Sequence, residues 1–145
     1  MKLVIQRVTD ANVKVNNEEV SRIGRGYLVL VGIKNSDTKE NVDYLVNKLI
    51  NLRIFEDEDG KLNLSMKDIN GELLLVSQCT LYGDCSRGNR PSFTEAARPE
   101  YAKELYDYFV QQCKKNIEIV KEGVFRSNMK INLTNDGPVT IIIEK

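Results

Sequence analysis

Apolar and polar residues alternate along Lys2–Val8 and again along Ala11–Val15, the period of two that marks a strand with one buried face. Asn16-Asn17 supplies turn residues between this stretch and Glu19–Ile23. After Gly24 and Gly26, Tyr27–Ile33 is almost wholly apolar, as in a buried strand. The period then changes. Val42, Leu45, Val46, Leu49 and Ile50 recur at helical spacing behind Asp37 and Glu40, whose separation resembles a capping box, so a helix is expected over about residues 38–51. Arg53–Phe55 reads as a short strand before the turn at residues 57–60, Glu72–Ser77 as a longer apolar one, and residues 83–92 as a loop without period. Pro99 and Glu100 suit the first turn of a second helix, with Tyr101, Leu105, Tyr108, Phe109 and Cys113 on its apolar face. Ile117–Val120, Met129–Thr134 and Val139–Glu144 are the last strands. This order implies a single α/β domain over residues 1–145, with a mixed β-sheet system and two main helices packed on one side.

Three segments carry more polarity or stiffness than scaffolding requires. Ser77-Gln-Cys-Thr-Leu-Tyr82 ends an apolar strand, and alternation would put Gln78, Thr80 and Tyr82 on one face, where an amide, a hydroxyl and a phenol can line a polar pocket. The plain alternative is a strand end facing water. Arg87-Gly-Asn-Arg-Pro-Ser-Phe93 sets two arginines, able to grip phosphate in a fork, beside an aromatic able to stack on a base; otherwise it is a solvated loop. Thr134-Asn-Asp-Gly-Pro-Val-Thr140 reads first as a hairpin turn between two strands. Its Gly-Pro is a poor choice for that purpose alone, because proline withholds a donor from the strand that follows.

Composition narrows the chemistry. The chain of 145 residues has 21 basic and 21 acidic side chains, so any grip on nucleic acid is expected at a local end rather than along a duplex. The three cysteines, Cys79, Cys85 and Cys113, follow no zinc spacing and are expected to be reduced thiols. No apolar run approaches membrane length and no leader is evident, so a cytoplasmic protein without membrane association is expected. Histidine is absent. That removes Ser-His-Asp and Cys-His triads and every His-containing metal site. Hydrolysis would have to rely on backbone donors, hydroxyls, carboxylates, lysines or a group on the substrate.

Taken together, Gln6-Arg-Val8, Asn51-Leu-Arg-Ile-Phe55, Ser77-Gln-Cys-Thr-Leu-Tyr82, Arg90-Pro-Ser-Phe93 and Asn135-Asp-Gly-Pro-Val-Thr140, in that order along the whole chain, resemble the D-aminoacyl-tRNA deacylase family. The resemblance implies an open-barrel-like fold in β/β/α layers and a homodimer with two active sites at the subunit interface. It also implies an enzyme without cofactor or metal, acting on the 3′-terminal aminoacyl-adenosine of tRNA. Ser77, Gln78 and Thr80 would line the catalytic pocket, Phe125 and Met129 would lie near the terminal adenosine, Gly137-Pro138 would be the Gly-cisPro motif that enters the partner's pocket, and Arg7 would help hold that motif. The chain departs from the family pattern at Cys79, where phenylalanine is usual, at Gly83, where alanine is common, and at Phe125-Arg-Ser-Asn-Met129, where Phe-Gly-Ala-x-Met is usual.

Without histidine, Thr80 has no evident base to make it a nucleophile. Water activated with help from the neighbouring ribose 2′-hydroxyl, with N–H groups around Gln78–Thr80 receiving the oxyanion, is the simpler expectation. Carbonyls of Gly137 and Pro138 would fix the substrate amino group, so that an L side chain collides with backbone while a D side chain points out. Glycine has nothing to collide, so some cleavage of glycyl-tRNA is expected. Two other readings fit less well: a sister deacylase with a relaxed gate for small L-amino acids, and a non-catalytic RNA-binding module.

Overall fold

A computed structural model describes all residues from Met1 to Lys145. In chain order the elements are β1 (Lys2–Val15), β2 (Glu18–Ile23), β3 (Gly26–Gly32), α1 (Lys39–Asn51), β4 (Phe55–Glu56), β5 (Leu62–Leu64), β6 (Glu72–Ser77), α2 (Pro99–Lys114), β7 (Val120–Glu122) and β8 (Lys130–Glu144). The two alternating stretches at the N-terminus are one strand. One edge of β1 pairs antiparallel first with β3 and then with β2, and its other edge carries β8 along nearly its whole length. Parallel pairing extends the sheet from β3 to β6 and on to β7. With β2 returning against β6 and β7, the sheet curls into a nearly closed barrel, and β4 and β5 form a separate ribbon.

Both helices cover one face. The buried residues of α1 are Val42, Leu45, Val46, Leu49 and Ile50, the set that the helical period selects. On α2 the buried residues are Ala102, Leu105, Tyr106, Phe109, Val110 and Cys113. Tyr101 and Tyr108, expected inside, sit at the margin, where their hydroxyls donate to the Asp37 carbonyl and to the Asp43 carboxylate. A phenol needs a polar partner, and the rim of the helix pair provides one. Beneath the helices lie Leu3, Ile5, Tyr27, Val29, Val31, Leu73 and Leu75; the opposite face of the sheet, inside the barrel, buries Val8, Ala11, Val13, Leu28, Leu74 and Val76. Successive residues of β3 and β6 therefore feed two cores, which is why these strands are apolar without interruption.

Asp37 is not the cap of α1. Its carboxylate accepts the amine of Met1 at 2.5 Å and the backbone N–H of Lys34 at 2.7 Å. Thr38 caps instead, its N–H donating to Asn41 Oδ1 at 2.9 Å. The Met1–Asp37 pair is fully buried, and burial pulls the amine below the ordinary value of 8.0 against the opposing pull of Asp37. Removing one partner of such a pair leaves the other charge without compensation. Asp37→Ala is expected to lower stability by roughly 3–5 kcal/mol, read from denaturant unfolding. A loss below about 1 kcal/mol would show that water reaches the amine.

Candidate functional site

The candidate site begins where β6 ends. Ser77 stands opposite Val31 on β3, and the next N–H, that of Gln78, donates to the Val31 carbonyl at 2.8 Å. The chain then leaves the sheet as a 3₁₀ turn over Cys79–Tyr82. The strand alternation expected for Ser77–Tyr82 therefore stops at Ser77. Gln78 and Thr80 still meet, but through the turn: the Gln78 amide donates to the Thr80 hydroxyl. Tyr82 turns inward instead of joining them. Its hydroxyl donates to Glu144 at 3.1 Å, and burial followed by the Glu144 charge pushes its pKa well up. The first N–H groups of the turn, at Cys79 and Thr80, have no acceptor within it, so they are the backbone donors free to face an anion.

A cleft of about 340 Å³ opens here. Val76, Ser77, Gln78 and Cys79 form one wall; Arg126, Ser127, Asn128, Met129 and Ile131 form the other. Met129 is held by the N–H of Val124, which lies 3.3 Å from its sulfur. Its thioether also occupies the space beside Gly123, where an added Cβ would lie 2.6 Å from Sδ. Phe125 packs at a tilt against Tyr106 of α2, with ring centroids 5.9 Å apart, rather than lining the cleft. Arg126 holds a left-handed backbone, φ 61°. Without glycine's freedom that costs roughly 1–2 kcal/mol, and it sets a cation on the cleft wall.

Gly137, Pro138 and Arg7 form a second cluster, which shares no residue with the cleft lining. The Asp-Gly-Pro run is not a hairpin. β8 continues through it, with Asn135 facing Val8 and Thr140 facing Gln6, so residues 136–139 bulge out of the ladder. The Gly137–Pro138 peptide is cis, and both residues are exposed. Asn135 closes the base of the bulge, accepting the Val139 N–H at 3.0 Å and donating to Thr140 at 3.2 Å. Arg7 braces it from within. Only 5% exposed, it donates to the Asp136 carbonyl at 2.9 Å and to the Ile54 carbonyl at 2.8 Å, with the carboxylates of Glu56 and Asp136 at 3.8 and 3.7 Å.

The loop of residues 83–92 lines none of the cleft, and Phe93 packs over Gly83, where an added Cβ would sit 2.9 Å from the ring. The alanine common at this position in the resembling family would have to displace that ring. Of the thiols, Cys79 and Cys85 are exposed, and only Cys79 reaches the cleft. Cys113 is buried, which pushes its pKa up to about 12 and makes it inert. No helix is long and apolar enough to cross a membrane.

Two solved structures share this architecture from end to end. One, titled c-Myc DNA Unwinding Element Binding Protein, superposes with a TM-score of 0.95 at 44% identity, covering 100% of this chain and 99% of the other. The other, titled as a probable eukaryotic D-amino acid tRNA deacylase, superposes at 0.86 with 19% identity, covering 99% and 98%. The barrel backed by two helices is thus a deacylase-type fold. Sequence resolves the family. The profile described as D-Tyr-tRNA(Tyr) deacylase matches residues 4–144. D-aminoacyl-tRNA deacylases of Thermosipho melanesiensis and Thermotoga petrophila are 53% and 55% identical, each alignment covering 99% of this chain and 97% of the relative. The chain belongs to the D-Tyr-tRNA(Tyr) deacylase family.

Proposed function

We propose that this enzyme hydrolyses the ester of D-aminoacyl-tRNA, releasing the amino acid and tRNA, and that it works in the cytoplasm as a homodimer without cofactor. The observation that carries the reading is the match to deacylases at more than half identity over nearly the whole chain. The site geometry supports the finer parts. The cleft and the Gly137-Pro138 bulge are separate on one chain, and β8 presents a 15-residue edge with Ile142 64% exposed. An open edge of that length is a surface for a second copy. In the dimer the bulge of one subunit would enter the cleft of the other.

Ser77, Gln78 and Thr80 would position the ester beside Met129 and Arg126, with Phe125 behind them. The oxygen of a water attacks the ester carbonyl carbon, and the N–H groups of Cys79 and Thr80 receive the oxyanion. As the bond to the ribose 3′-oxygen breaks, the water's proton passes through the 2′-hydroxyl to that leaving oxygen. The carbonyls of the partner's bulge hold the substrate amino group and leave no room for an L side chain, while glycine escapes the exclusion.

Deacylation of paired D- and L-tyrosyl-tRNA tests the reading. Turnover of the D form at least about a hundredfold above the L form is expected, the difference that ~2.7 kcal/mol of discrimination produces. Equal rates would remove the gate, and no release from either would leave a non-catalytic RNA-binding module. Glycyl-tRNA should be cleaved and L-alanyl-tRNA spared; cleavage of the latter would mark the relaxed sister enzyme.

A further inference from the structure

We propose that Lys14 and Lys130 form a phosphate subsite that holds the tRNA backbone just 5′ of the terminal adenosine, in continuity with the cleft through Asn128 and Arg126. The inference rests on the deacylase reading. It starts from a conflict within the sheet. Lys14 on β1 and Lys130 on β8 face each other directly in the antiparallel register. Residues so placed share a face with Cβ atoms about 4.5–5.5 Å apart, and like charges there destabilise the ladder. Neither lysine has an ion-pair partner. Glu19, across from Lys14 on β2, is taken by Arg22 at 2.8 Å. The neighbouring pair on the same face, Asn12 and Asn132, satisfies itself with a 3.0 Å hydrogen bond. The lysine pair alone is left in want of an anion.

The surroundings suit one. Lys14, Lys130, Asn16, Asn17 and Asn128 line a pocket of about 230 Å³ with no apolar residue. Asn16 and Asn17 make the tight turn between β1 and β2, both left-handed, with φ 50° and 66°. Their side-chain amides and the ammonium groups of the lysines are hydrogen-bond donors around a space for an acceptor-rich group. Asn128 lines both this pocket and the cleft. A chain leaving the cleft therefore passes Arg126 and Asn128 and reaches the lysines around the end of the β1–β8 ladder. The protein carries no net charge, so its grip on RNA must be gathered in one place. Three cations with amides between them match a short single strand and its successive phosphodiesters.

The test compares the wild type with the double variant Lys14→Gln/Lys130→Gln, using D-tyrosyl-tRNA between about 50 and 200 mM salt. Each cation that neutralises one phosphate of a single strand contributes about 0.7 to the slope of log affinity against log salt, so the double variant should lose about 1.4. The loss should fall on KM, and the ratio of wild-type to variant affinity should shrink by about sevenfold between the low and high ends of that salt range. Deacylated tRNA should show the same change in slope by direct binding. The melting temperature should hold or rise, because the repulsion is gone. Lys67→Gln, on an exposed turn, should leave the slope untouched.

A slope equal to that of the wild type overturns the subsite, as does a lower melting temperature with a matching fall in kcat. A wild type stabilised by inorganic phosphate, with tRNA binding that ignores both lysines, overturns the RNA assignment in favour of a small anion. These outcomes are separate from failure of the deacylase reading. That failure would show as no hydrolysis by the wild type, while binding of deacylated tRNA would still report on the lysines.

Discussion

Gly137→Ala is expected to abolish most of the discrimination between D- and L-aminoacyl-tRNA, lowering the ratio of their rates by at least about tenfold, which requires only ~1.4 kcal/mol. The argument is steric. Gly137 has φ 130°, a conformation that side-chain-bearing residues rarely adopt. An added Cβ would meet Val139 Cγ2 at 2.8 Å, the Val139 nitrogen at 3.1 Å and Arg7 Nη2 at 3.1 Å. None of these can withdraw freely: the Val139 N–H is bonded to Asn135, and Arg7 is buried between the Ile54 and Asp136 carbonyls. The bulge must therefore move, and with it the two carbonyls that the proposed gate requires. Holding a disfavoured backbone costs roughly 1–3 kcal/mol, so unfolding should occur at lower denaturant. The measurements are D- and L-tyrosyl-tRNA turnover on the folded variant. If stability falls as expected but the ratio of rates is that of the wild type, the bulge is a structural brace and the gate lies elsewhere.

That residues 134–140 are no hairpin follows from the pairing of β8 with β1 on both sides of the run, and was not legible in the sequence. Ile131, Leu133, Asn135, Val139, Ile141 and Ile143 are all odd-numbered and all half-buried. Ile131 and Leu133 pack against the barrel core, and Val139, Ile141 and Ile143, beyond the bulge, pack against the core beneath the helices. Asp-Gly is a strong hairpin signal locally, but β1 is long enough to accept both halves of β8 and leave the bulge between them. Helix α1 was legible because one stripe of apolar residues faces one core. The margin of α2 was not, since tyrosine satisfies either the core or a polar rim. Ser77, Gln78 and Met129 were identified from their motifs and do meet in the cleft, whereas Thr80, expected to line it with them, lies outside the lining, one turn along the chain beyond Gln78. The meeting of Ser77–Gln78 with Arg126–Asn128 was not visible, because it depends on how β6 and the segment before β8 lie together after the sheet has curled. The departure from the usual Phe-Gly-Ala-x-Met pattern was the one clue, and it marked the cleft wall.

The largest loss should come from the substrate rather than from any side chain. A tRNA ending in 2′-deoxyadenosine, charged with a D-amino acid, is expected to react at least about a thousandfold more slowly, whereas Thr80→Ala should lose no more than about tenfold; general acid–base groups contribute 10²–10⁴-fold in such reactions. The turn explains the contrast. The Thr80 hydroxyl accepts from the Gln78 amide, an arrangement that orients the hydroxyl but removes no proton from it. No imidazole exists to do so, and the chain's one strongly buried thiol, Cys113, is held protonated away from the cleft. In the proposed mechanism Thr80 would supply its backbone N–H, and that survives the change to alanine. Proline at this position removes the N–H as well, so Thr80→Pro should fall well below Thr80→Ala in kcat, with circular dichroism confirming that the fold persists. If Thr80→Ala instead loses a thousandfold with tRNA binding unchanged, and the deoxy substrate reacts normally, catalysis belongs to the hydroxyl and the ribose is only a handle.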